Sequence, residues 1–174
     1  MIKRLGLFTL SLAFSGLVFA QGQAVRDQMF GPTDALKRSA DAVNAKLLAP
    51  DAYGKAMEVY KEAGDTLAKG KDMNSVKEDL SKADGLFKKS TDAAKLAQVT
   101  FADTLTARAA AERAEAAKYA AKDWGKGESV LTDAAEVLEE GNLNKAQKTV
   151  EDATKYYKSA EVTAVNEKAK AAHK

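Results

Sequence analysis

Two stretches of this chain carry one pattern a fixed distance apart, and that recurrence constrains the fold more than any single motif. Leu48-Ala-Pro-Asp-Ala-Tyr-Gly-Lys-Ala aligns with Tyr119-Ala-Ala-Lys-Asp-Trp-Gly-Lys-Gly at an offset of 71. Beyond the next turn the second copy is one residue shorter and the offset becomes 70. There Met73 meets Leu143, Val76 meets Ala146, Leu80 meets Val150, Ala83 meets Ala153 and Phe87 meets Tyr157. Repeated units bury their apolar faces against each other, so both halves must adopt one architecture.

The period within each unit is helical. Leu36, Ala40, Val43 and Leu47 recur at steps of four, three and four, one face of a helix. Proline disfavours the α region for Ala49 yet suits a first turn, so Pro50 opens a second helix. That helix carries Tyr53, Met57, Tyr60 and Leu67 inward and ends at Gly70, after which Asn74 is a suitable N-cap. A third seam runs Met73, Val76, Leu80, Ala83, Phe87, Ser90, Ala94, Ala97, Phe101. No Gly or Pro interrupts Leu86 to Trp124, so this helix is expected to continue through the Ala-rich stretch towards Ala121, about 45 residues in all. Trp124, Leu131, Ala134 and Leu138 mark a fourth helix ending at Gly141. Asn142 caps a fifth, with a seam of Leu143, Ala146, Val150, Ala153, Tyr157, Ala160 and Ala164. With two prolines in 174 residues, an all-α fold follows. It should consist of two tandem three-helix units, 34–98 and 101–168, sharing one long central helix in an elongated body. Tyr53, Leu80, Phe87, Trp124, Val150 and Tyr157 are the expected repeat-signature core.

Met1 to Arg4 carries two positive charges, Leu5 to Phe19 is apolar apart from Gly, Ser and Thr, and Val18-Phe19-Ala20 offers modest residues at a cleavage site. This is the order of regions in a secretory signal, expected to be removed after Ala20 (residues 1–20). The apolar run falls short of the roughly 20 residues that span a bilayer. No Cys follows to carry a lipid. Residues 21–33 read as a flexible leader with Phe30 tucked against the body, and 169–174 as a frayed tail. Loss of Lys3 and Arg4 takes two basic residues from 27 and leaves parity with 25 acidic ones. A balanced chain has no long-range field to gather phosphates, which argues against nucleic acid and anionic lipid.

Reactive residues are scarce. The absence of Cys excludes disulfides, thiolate metal sites and cysteine nucleophiles. His173, the single histidine, lies in the tail, and the serines and threonines have no base beside them. Gly125-Lys-Gly lacks the Lys-Ser/Thr ending of a phosphate loop. Glu136, Glu139, Glu140 and Asp133 are strung along a helix and read as a solvated face, since calcium loops need close spacing and a Gly turn. No catalytic, cofactor-binding or metal residue is expected, and no cofactor. Tyr156 and Tyr157 cannot share one seam; Tyr157 belongs to the core, so Tyr156, with its counterpart Leu86, is a candidate partner contact.

The aromatic that opens one helix, the Gly-Asn that closes it and the alanines of the next, from Trp124 to Ala146 with an echo from Tyr53 to Val76, resemble tetratricopeptide-type helix pairs. More closely they resemble a bacterial envelope module with a Tyr-Ala-Pro-x-x-Tyr/Trp start, often exported and often placed ahead of OmpA-like domains. Ala121 stands where that pattern has Pro, and the period is twice the tetratricopeptide one. The resemblance implies a non-catalytic periplasmic or secreted module of the cell envelope. Its partners would be another envelope protein or a second copy of itself, without stable membrane insertion after cleavage. A holdase-type chaperone or carrier is the alternative, and it would need a concave apolar surface.

Overall fold

The computed structural model describes the backbone of residues 14–70 and 72–173, and side chains from residue 23 onwards. All regular structure among these residues is helical: α1 (Phe14–Ala42), α2 (Ala45–Leu48), α3 (Pro50–Ala68), α4 (Met73–Thr100), α5 (Ala102–Arg113), α6 (Ala116–Tyr119), α7 (Ala121–Glu139) and α8 (Leu143–Ala172). No helix among the described residues is long and apolar enough to cross a membrane.

The boundaries recur at the sequence offset. Asn44 and Glu115 both take the left-handed conformation, at φ 57° and 63°; α2 and α6 are both single turns; α3 and α7 both have 19 residues. Gly70 and Gly141 close the latter pair at φ 62° and 86°, a region that glycine enters without a Cβ penalty. Asn142 caps α8 through Lys145 N–H as expected. At α4 the cap is Asp72, accepting from Asn74 N–H, so Asn74 is the capped residue instead of the cap.

The chain runs up α1, down α3, up α4, onward through α5, down α7 and up α8. The seam residues Val76, Ala83, Phe87, Ala94 and Ala97 are buried on α4, as are Ala146, Val150, Ala153, Tyr157, Ala160 and Ala164 on α8. Many of these are alanines, so α4 lies close to α3, and α8 to α7. The remaining side of each bundle, α1 to α3 and α5 to α7, is bridged by long side chains. Met73 and Leu143, at the outset of the seams, are exposed.

Three expectations require correction. Residues 21–33 are not a loose leader: they continue α1, with Phe30 and Thr33 buried and Pro32 inside the helix. Amphipathic packing of Phe30 on Ala63, Val76 and Leu80 outweighs the helix-breaking residues. The central helix does not run to Ala121. It is interrupted at Phe101 (φ −108°, ψ 19°), where the buried face passes from α3 and α1 to α8, and it stops at Arg113. The break near Ala121 needs no proline: Ala49 and Ala120 share an extended φ before α3 and α7. Finally, α8 remains helical to Ala172, past the expected start of fraying, and only His173 of the described tail lies outside it.

The bundles stack end to end because α5 leads onward from α4. At the junction α7 abuts the start of α3. Glu139, in the last turn of α7, accepts from Asp51 N–H (3.0 Å) and Ala52 N–H (2.9 Å), satisfying two orphan donors of α3.

Candidate functional site

Polar side chains converge most closely between α5, α7 and α8. Glu128 Oε1 accepts from Arg108 Nε (2.7 Å) and from the Tyr157 hydroxyl (2.6 Å), and Oε2 accepts from Arg108 Nη2 (3.0 Å). The guanidinium also lies 5.2 Å from the Trp124 ring centroid and 3.6 Å from Glu112. The Tyr157 ring fits because position 127 is glycine: a Cβ there would come within 2.7 Å of Tyr157 Cε1. Burial foremost, then the Glu128 carboxylate, push the phenol well above its ordinary range, and the hydrogen bond to Glu128 raises Arg108. The phenol stays protonated, the guanidinium stays charged and the carboxylate is fully engaged. Such a satisfied cluster ties three helices together and presents no free base or nucleophile.

The first bundle spans its wide side differently. Lys37, Met57 and Phe87 occupy the places of Arg108, Glu128 and Tyr157. The bridges there are Tyr53 to Asp41 (2.6 Å) and Tyr60 to Asp34 (2.6 Å), with Arg26 donating to the Tyr60 hydroxyl at 3.1 Å. Burial, followed by the carboxylate partners, raises both phenols. For Asp41 burial pulls upwards, but hydrogen bonds from Lys37 and Tyr53 prevail and hold it low.

Each bundle also has a groove between its two parallel helices. The one on α5 and α8, together with the end of α4, encloses about 950 Å³; its floor is closed by the Thr104 and Thr154 hydroxyls, 2.6 Å apart. Its counterpart between α1 and α4, about 520 Å³, is lined by Val25, Met29, Met73 and Leu80. Here Asp84 stands in place of Thr154, and its Oδ1 is shut off from solvent without a donor among the described residues.

Tyr53, Leu80, Phe87, Val150 and Tyr157 are buried, and Trp124 packs partly buried against the same core. The two candidate contacts part company. Leu86 packs against the core, while Tyr156 is half-buried outside it, its ring 5.2 Å from Lys126 Nζ. Among the carboxylates expected to be solvated, Glu139 is engaged at the junction. Neither that role nor the Arg108–Glu128 bridge is visible in the sequence of either half alone. The signal was the paired change between halves, Ala56-Met57 with Phe87 against Gly127-Glu128 with Tyr157. Among the described residues no three His, Asp or Glu side chains converge as a metal site.

Compared with known proteins, the chain matches no family model, no curated protein and no solved structure.

Proposed function

We propose that this chain is an exported, non-catalytic structural and interaction module of the bacterial cell envelope, built from a duplicated three-helix unit. The observation that supports it is the end-to-end joining of two equivalent bundles through Glu139, which yields a rod with long lateral surfaces. Its most closely convergent polar side chains, Arg108, Glu128 and Tyr157, hold helices together. The contacts of α1 described between helices begin at Val25 and Arg26, so cleavage after Ala20 leaves them in place. A residue inventory with one histidine and no cysteine accords with binding in preference to chemistry. The holdase alternative is weaker, since neither groove is continuously apolar.

The test is expression with the native N-terminus in a bacterium, fractionation and intact-mass measurement. A periplasmic product starting at Gln21 is expected. A mature pool that keeps Met1, or that stays in the cytoplasm, overturns export and with it the envelope role.

A further inference from the structure

We propose that two copies of this chain pair side by side and antiparallel, each laying the outer stripe of α8 into the α1/α4 groove of the other. The proposal needs only the folded chain and is independent of its compartment. The groove has an apolar mouth, with Val25 and Met73 exposed to 42% and 40%, and two charges along α4, Lys77 and then Asp84. Lys77 is exposed, and the Asp84 carboxylate is partly exposed, its buried oxygen without a donor among the described residues. Its counterpart in the second bundle has no such need, because Thr154 already pairs with Thr104.

The complement lies on the same chain. Val162 and Val165 of α8 are 62% and 55% exposed, and Lys158 and the partly exposed Glu161 stand one turn before them on the α8 edge of the chain's own α5/α8 groove. Laid antiparallel on α4, with Val165 over Met73 and Val25, this stripe brings Glu161 level with Lys77, since Lys77 lies four residues after Met73 and Glu161 four residues before Val165 on a helix that runs the other way. Lys158 then stands about 10 Å up the groove and Asp84 about 16 Å, a gap that an extended lysine side chain spans. The order of charges matches in this direction alone; laid parallel, the stripe would carry Lys158 away from Asp84.

The two surfaces cannot meet within one molecule. The groove opens at the free end of the first bundle and the stripe lies at the free end of the second, separated by the length of α4 and more, over 40 Å. Antiparallel pairing makes both contacts at once and closes the assembly about a two-fold axis.

The chain is expressed with its own N-terminus, purified, and its mass followed by sedimentation over a concentration series. A dimer is expected. Val162→Asp with Val165→Asp should raise the dimer dissociation constant at least about tenfold, with unchanged helicity by circular dichroism. Asp84→Lys and Lys158→Asp should each weaken the dimer and in combination restore it. As the chain has no cysteine, Lys77→Cys with Glu161→Cys, the pair that stands level in this register, gives a second readout: oxidation should yield one closed, doubly linked dimer. A monomer up to about 100 µM, well above the Kd of a specific pair, overturns the proposal. So does a charge swap no better than its single variants, or a ladder of higher oligomers on oxidation.

Discussion

Replacing Glu128 by Met, the residue at the equivalent place in the first bundle, tests whether the Arg108–Glu128–Tyr157 cluster holds the second bundle together. Methionine fills the volume but accepts no strong hydrogen bond. The Tyr157 hydroxyl, on a fully buried residue, loses its acceptor at 2.6 Å, which costs about 1–3 kcal/mol. Arg108 loses a bidentate partner but keeps Glu112 at 3.6 Å and the Trp124 face, and its side chain is 21% exposed. That part adds no more than about 1 kcal/mol. The sum, about 1–4 kcal/mol, lowers the melting temperature by roughly 3–12 °C for a chain of this size. Adding Tyr157→Phe recreates the Met57 and Phe87 pairing of the first half and removes the orphaned hydroxyl, so at least half of the loss should return. Thermal and urea unfolding followed at 222 nm read both variants. A single variant within about 0.5 kcal/mol of the parent, or a double variant no more stable than the single, refutes the reasoning.

Glu139→Ala strips two N–H groups at the start of α3 of their acceptor and should cost about 0.5–2 kcal/mol, with faster hydrogen exchange at Asp51 and Ala52. The Tyr157 phenol is raised above the ordinary tyrosine value of about 10. Its contribution to stability is therefore complete below that pH and is lost as pH climbs past it; urea midpoints should fall between about pH 10 and 12, less steeply in Tyr157→Phe. Tyr156→Ala, outside the core, should change stability by under about 1 kcal/mol. A loss of several kcal/mol would place its ring among the groups that hold the bundle.

The helix faces were legible because burial follows the 3.6-residue period: every position from Val76 to Ala97 on the third seam is where the spacing puts it. Boundaries marked by Pro50, Gly70, Gly141 and Asn142 were equally plain. The breaks at Phe101 and Glu115 were not, since neither residue is a breaker. Tertiary packing imposes the first. At the second, Glu115 takes a left-handed conformation that its first-half counterpart Asn44 adopts at lower cost, while its carboxylate pairs with Lys168. The helical leader was not legible because Gly22, Gly31 and Pro32 speak against a helix locally, whereas burial of Phe30 and the Arg26–Asp34–Tyr60 contacts decide for one over a longer range. The polar clusters depend on which side chains meet across helices, information carried only by comparing the halves.

The junction also acts as a ruler. The turn that receives α7 is made of Leu47, Leu48, Pro50 and Ala52, with Leu48 and Ala52 almost wholly covered. At the far end of the rod the corresponding residues are Lys118, Tyr119, Ala121 and Asp123, of which Lys118 and Ala121 lie open to water. Ala68, where Glu139 has its counterpart, has no carboxylate with which to cap another molecule's helix. The side chains that make the internal joint are therefore missing at both tips, although the backbone of Glu115 and Ala120 repeats that of Asn44 and Ala49. The same backbone shape thus serves as a joint at one end of a bundle and as a solvent-facing end at the other, and the difference lies in the side chains at Leu47, Pro50, Ala52 and Glu139 against Lys118, Ala121, Asp123 and Ala68.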